Sequence, residues 1–557
     1  MRGTADAPAS AARHEPAAAG IRAPRTVALG VFVLLACLHT WPLITNPTHL
    51  SRIDNGDAVL NMWTIAWVAH QLPRDILHLF DANIFYPERL TLAYSEAMIV
   101  QGTMAIPVLA AGASPVTAFN VVLLAGFALT GWSFCLLLHR WTGSWTAGYV
   151  AGTLAAFNSY IFLRLPHLQT QHVEFVALVL FALDRVIVDR RARDAVLLGL
   201  AFALQGLTSI YLLVFTTWMV VCAALARAKE WLGWKPRTAI LAFLLAAGVA
   251  AIPLGPYLLP YYLLHQRLPG FERSLSDAQN GAATWQNYLS TVARLHYSLW
   301  SHRFVSSRIP PGFPGMTAIV LAVLALSWRE TRRDRRVQMC AAAAIVCLIL
   351  SVLPNASFFP RLYPLIPGIM AVRVVADVEQ IVLLLIAAIA GFGAAALCRR
   401  IANWRFAPAV AVALVGIVNL EARHAPLRFR ESGEIPRIYD TLADIRGAVI
   451  AELPLHPPDV FFANTGYMLN STRHWRPMAN GYSGYRPQSY IEIFKAIQTF
   501  PAADAVMALH DRGITHVVVH SETFRGAFGA ERYDQLAQSP LLHHVAGDGD
   551  ILIYKLR

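Results

Sequence analysis

Eleven mainly apolar stretches recur along this chain, at residues 26–46, 115–139, 145–162, 169–188, 194–207, 209–226, 237–260, 316–329, 336–353, 373–398 and 404–421. Most come close to the roughly 20 residues with which an α-helix crosses a hydrocarbon layer about 30 Å thick, though some are short. In lipid, each backbone N–H and C=O must find its partner within its own segment, which leaves helices as the economical solution. The chain is 56% hydrophobic and 14% charged, whereas a soluble domain carries about a quarter charged residues. The expected fold class is therefore an α-helical polytopic membrane protein with about eleven transmembrane helices.

Charge placement orients the spans. Arginine-rich gaps occur at Arg185, Arg190, Arg191 and Arg193; at Arg227, Lys229, Lys235 and Arg237; at Arg329, Arg332, Arg333, Arg335 and Arg336; and at Arg399, Arg400 and Arg405. The positive-inside rule makes these gaps cytoplasmic. The segment after the first span has more acids (Asp54, Asp57, Asp75, Asp81, Glu88, Glu96) than bases (Arg52, Arg74, Arg89) and falls outside. Residues 1–25, with Arg13, Arg22 and Arg25, read as a cytoplasmic leader. No small-residue cleavage site follows the first span, so that span reads as an uncleaved anchor. The run Met98–Gly112 satisfies this parity only as a helix lying along or dipping into the outer face. Two large outer loops result, 47–114 and 261–315, within a membrane domain of 26–421. The net charge of +12 is thereby spent on topology and gives no argument for nucleic acid. All six cysteines fall inside spans, which leaves none for an external disulfide or thiolate metal site.

Residues 422–557 have a different composition. Ala448–Leu453 and His516–His520 read as strands, Ser489–Thr499 and Ala502–Arg512 as helices, and His543–Leu556 as a hairpin turning at Gly547-Asp548-Gly549-Asp550. A small extracytoplasmic α/β domain is expected, with His456, His474 and His510 as surface histidines. No P-loop or GxGxxG follows a strand.

Three polar constellations stand out. In IDNGDAVLNMWTIAW, Asp54 and Asp57 precede Val59, Trp63 and Trp67, which share one helix face and suit a membrane interface. Asp57 also reads as a helix N-cap, and Asp54-Asn55-Gly56 as a turn. The second group is Asn158-Ser159-Tyr160, Arg164, His167, Gln169, His172 and Glu174, at the outer junction of two spans; it reads either as interfacial caps or as a site. His167 and His172 do not share a helical face, so a metal pair is unsupported. The third is Arg361 with Arg373 and Asp377: the last two, four residues apart, pair on a helix, or Arg373 faces an anionic ligand.

Several phrases, GDAVLNMWTIAW, RLPHLQTQHVEF, GLTSIY, RVVADVEQ and HWRPMANGYSGYRP, together with one helix followed by an acid-bearing outer loop and a series of spans, resemble the GT-C superfamily of polytopic glycosyltransferases. The resemblance covers residues 26–421 and lies nearest a bacterial branch. It implies an inner-membrane enzyme that takes sugar from a polyprenyl-phosphate donor and passes it to an extracytoplasmic acceptor. The first-loop acid would be the general base, with Asp57 favoured over Asp54. Arg373, with Arg164 or Arg361, would face the departing phosphate, and His167, His172, Glu174 and Asp377 complete the expected substrate-binding set. No second acidic motif of the kind that holds a divalent metal in oligosaccharyltransferase-like members is visible, so no cofactor is expected. The rival readings are a transporter or flippase, which would more often show two related halves or matched helix breaks, and a non-catalytic subunit of a polysaccharide assembly complex.

Overall fold

The structure is a computed structural model, and it describes residues 22–233, 236–268, 271, 273–306 and 309–557. Arg13, Lys235 and most of the 1–25 leader lie outside the described residues. Each of the eleven apolar runs contains a helix: α1 (Arg22–His39), α4 (Pro115–Thr142), α5 (Trp145–Ala156), α6 (Glu174–Asp189), α7 (Ala192–Thr208), α8 (Ile210–Ala226), α9 (Pro236–Arg267), α10 (Met316–Ser327), α11 (Arg335–Val352), α12 (Glu379–Arg400) and α13 (Ala407–Glu421). Two more, α2 (Gly56–Gln71) and α3 (Ile99–Ala110), lie in the first loop. Among the described residues four segments are long and apolar enough to cross a membrane unaided: α4, α9, 335–355 and 375–400. The others are shortened where the chain breaks at polar caps, as at Asn158 after α5 and Ser209 between α7 and α8. With 12 residues, α3 is about 18 Å long and too short for the hydrocarbon core.

The bundle centres on α12, which is buried along most of its length. Its small residues matter most at Gly393, where a Cβ would lie 2.0 Å from the Leu321 carbonyl oxygen of α10. Small residues allow helix backbones to approach where lipid supplies no hydrophobic drive for association. At one end of the bundle the arginine-rich gaps meet. Arg227 pairs with Asp184 and Glu230, Arg185 with Asp189 and Asp194, and Arg400 with Glu330, while Arg336 donates to the Trp141 carbonyl. The opposite end carries the two long loops and the C-terminal unit.

The C-terminal unit holds a four-stranded sheet in the order β1 (Ile450–Leu453), β2 (His516–His520), β4 (Ile551–Leu556), β3 (Leu542–Asp548). The β1–β2 pair is parallel, and β2–β4 and β3–β4 are antiparallel. Helices α14 (Gln488–Ala496) and α15 (Ala503–His510) occupy the expected stretches. The sheet does not stop at β1. Segment 477–480 runs beside it, with Ile450 donating to Pro477 and Ala479 donating to Ile450. The first loop joins next, as Phe85 donates to Asn480, Tyr86 to Met478 and Met478 to Asn83. A short ribbon of Leu50–Ser51 with Arg430–Glu431 makes a second tie. The loop and the C-terminal unit are thus one hydrogen-bonded body.

This joint changes two expectations. Trp63 and Trp67 are 1% and 5% exposed; they face the C-terminal unit, not a membrane interface. Trp67 packs on Trp475 at 5.8 Å and donates its indole N–H to the Leu79 carbonyl. His474 is buried against Tyr439, not on the surface.

Candidate active site

At the loop-bearing end a cavity of about 1100 Å³ opens between the bundle, both outer loops and the C-terminal unit. Each of the five sequence phrases singled out above contributes to its wall, as do the outer loops.

Asp57 sits in the first turn of α2. The cap is not Asp57 but Asn55, two positions earlier: its Oδ1 accepts from the Asp57 and Ala58 N–H groups at 2.9 and 3.3 Å. Capping by Asn55 satisfies the first-turn donors and leaves the Asp57 carboxylate free to face the cavity. Its Oδ1 accepts from the Tyr482 hydroxyl at 2.9 Å, and its Oδ2 lies 3.6 Å from His167 Nε2. Asp54 pairs with Arg52 at 3.1 Å and does not line the cavity.

Arg164 ends the short helix after α5 and donates to Asp377 Oδ1 at 2.6 Å. Arg164 takes Asp377, and the Arg373–Asp377 pairing, one of the two readings offered for these residues, does not form, since residues 375–378 make a 3-10 turn and not the α-helical spacing that a four-residue pair needs. His167, held between Arg164 and the two aspartates, loses basicity through burial first and the Arg164 charge second; Asp57 and Asp377 oppose both. Arg373 is exposed to the cavity, and its backbone N–H donates to the Tyr211 hydroxyl at 3.0 Å.

Four cavity residues escaped the sequence reading. Glu96 is gripped by Ser209 Oγ at 2.5 Å, the Tyr211 N–H at 3.2 Å and Gln169 Nε2 at 2.7 Å. Burial raises its proton affinity, and these donors pull it back. Arg273, from the second loop, forms another part of the wall, and Asp277 lies within electrostatic reach of both Arg273 and Arg373. Tyr482 arrives from the C-terminal unit; burial and the neighbouring Asp57 raise its hydroxyl pKa.

Other expected site residues lie elsewhere. His172 and Glu174 are buried in the bundle and turned away from the cavity. His172 Nδ1 meets Glu174 Oε1 at 3.0 Å, and its Nε2 meets the Val122 carbonyl at 3.1 Å. Arg361 is exposed on a four-residue helix, Phe359–Leu362, outside the cavity. Among the described residues no three His, Cys, Asp or Glu side chains come together to hold a metal ion.

This fold, a helical bundle with an acid-bearing first loop folded over a cavity at one end, has likenesses among solved structures. Among solved structures the chain is similar to arabinofuranosyltransferase AftD from Mycobacteria, with 14% identity and a TM-score of 0.57 over 96% of this chain and 40% of that one. This chain therefore spans about two fifths of that relative's length. A weaker likeness joins it to ArnT from Cupriavidus metallidurans, solved with undecaprenyl phosphate, at 13% identity and a TM-score of 0.48 over 95% of this chain and 97% of that one. No known protein-family profile and no curated protein matches the chain.

Proposed function

We propose that this chain is a membrane glycosyltransferase that moves a sugar from a polyprenyl-phosphate donor to a hydroxyl group of an extracytoplasmic acceptor. The observation that carries the reading is the cavity: it gathers Asp57, Arg164, Arg273 and Arg373 from distant parts of the chain, at the bundle end opposite the arginine-rich gaps. In a bacterial cytoplasmic membrane this orientation puts residues 422–557 outside and the arginine-rich gaps inside.

The chemistry follows from the side chains. Asp57 takes the proton of the acceptor hydroxyl as its oxygen attacks the anomeric carbon. The bond from that carbon to the phosphate oxygen breaks, and the lipid phosphate leaves with an added negative charge. Arg373 and Arg273 meet that charge, and guanidinium forks match phosphate oxygens in pairs. A single displacement of this kind inverts the anomeric centre. Arg164 is engaged by Asp377, so its contribution is to hold the floor of the cavity beside His167.

The test is transfer by the purified full chain from a panel of polyprenyl-phosphate sugars in detergent or vesicles. Consumption of one donor with release of polyprenyl phosphate supports the reading. Solute flux without donor consumption overturns it in favour of a transporter.

A further inference from the structure

We infer that Tyr482 is a positioning residue for the Asp57 carboxylate, so that the C-terminal unit completes the site instead of merely covering it. The inference rests on the reading of Asp57 as a base, and it follows from how the loop carrying Tyr482 is held.

Residues 481–485 have little freedom. A Cβ on Gly481 would lie 2.7 Å from the Phe85 ring, and one on Gly484 would lie 2.8 Å from the Tyr94 carbonyl oxygen, both in the first outer loop. The Tyr482 N–H points to Met468 Sδ at 3.1 Å, and Phe461 packs on the Tyr482 ring at 5.0 Å and 67°. Tyr485 packs edge-on against Tyr94 at 5.2 Å. Gly56, beside Asp57, approaches Phe462, the neighbour of Phe461, so that a Cβ there would lie 3.4 Å from the Phe462 Cβ. The phenol and the carboxylate are therefore both braced on the Phe461–Phe462 segment.

The phenol donates to Oδ1 at 2.9 Å. That bond fixes the carboxylate plane and leaves Oδ2, on the His167 side, to receive a proton. The groups that face Asp57 are Tyr482 from the C-terminal unit, His167 beyond α5 and, through Tyr482, Arg373. Removing the hydroxyl leaves the others in place and frees Oδ1 of its one phenolic partner.

The experiment reads Asp57 directly. Water-soluble carbodiimide modifies accessible carboxyls, and its yield at Asp57 is followed by mass spectrometry of the Asp57 peptide at one fixed pH, in the full chain and in Tyr482→Phe. The yield is expected to rise about tenfold in Tyr482→Phe, because Oδ1 loses its partner. In transfer assays kcat is expected to fall by a similar factor, with donor KM unchanged. An unchanged yield overturns the inference. Phe461→Leu keeps the hydroxyl and loosens its ring, and it is expected to give a smaller change in the same direction; no change there likewise counts against the role. The carbodiimide measurement needs no sugar donor. A chain that transfers nothing therefore defeats the proposed function and leaves this test intact, whereas transfer with an unchanged yield defeats only the role of Tyr482.

Discussion

Gly281→Ala tests whether Arg373 is held by packing at a distance from the chemistry. Gly281 is buried, and a Cβ there would lie 2.7 Å from both the Arg373 carbonyl oxygen and the Val374 Cα. Both neighbours are backbone, so no side chain can rotate away. Ordinary carbon contacts begin near 3.5 Å, and the two segments would have to part by somewhat under about 1 Å. The Gly281 carbonyl also accepts from the Ala376 N–H at 2.8 Å, and that bond would stretch with the gap. Forcing a methyl into a packed contact costs about 1–3 kcal/mol, and a misplacement of about 1 Å lowers rate by about a hundredfold. The assay is thermal unfolding together with donor-dependent transfer kinetics. We expect a lower midpoint and a donor KM raised at least tenfold. Parental stability together with parental donor KM would refute the claim that this contact positions Arg373.

Other perturbations have defined outcomes. Arg373→Ala and Arg273→Ala are each expected to weaken donor binding about tenfold or more while leaving the fold intact, read by isothermal titration with a polyprenyl phosphate; equal affinity in either variant removes that arginine from the phosphate site. Asp377→Asn leaves Arg164 without its carboxylate partner, and a loss of about 1–3 kcal/mol is expected because the pair is mostly buried yet borders the cavity. The joint between the first loop and the C-terminal unit is expected to loosen in acid. Burial, reinforced by Arg74, lowers His70 to about 4, and burial, reinforced by Arg476, lowers His474 to about 3. A histidine that stays neutral when folded but takes a proton near 6.5 when unfolded favours the folded state fully above that pH. That advantage shrinks as pH falls from about 6.5 toward about 4 and then 3, so protease cleavage between residues 422 and 557 should accelerate over that window. A flat profile contradicts the assignment.

How much was legible in the sequence varied with the range of the interactions involved. The apolar runs specify helices through local hydrogen bonding, and every run became one. The strands and two helices expected within residues 448–556 likewise followed local pattern, whereas the helices Thr465–Asn470, Ser521–Phe528 and Ala530–Gln538 went unread. The cap at α2 was assigned one turn residue wrongly, because in Asp54-Asn55-Gly56-Asp57 two side chains can serve and only geometry selects Asn55. The tryptophan face was read as interfacial because an amphipathic ring suits lipid headgroups as well as a protein neighbour, and Trp475 lies some four hundred residues away. Glu96 carries no local signal: its partners Ser209 and Tyr211 are separated from it by 113 and 115 positions. Tyr482 is more distant still from Asp57, by 425 positions. His172 and Glu174 looked like part of the cavity because they follow His167 closely, but the 3-10 turn at Leu168–Gln171 carries them into the bundle.

The central claim is that Asp57 is the base that activates an acceptor hydroxyl. The most direct measurement is single-turnover transfer from a radiolabelled polyprenyl-phosphate sugar by the parental chain and by Asp57→Asn, with donor binding measured on the same samples. The account predicts that the variant binds donor as the parent does and transfers about 10²- to 10⁴-fold more slowly. Transfer by Asp57→Asn at the parental rate would contradict it.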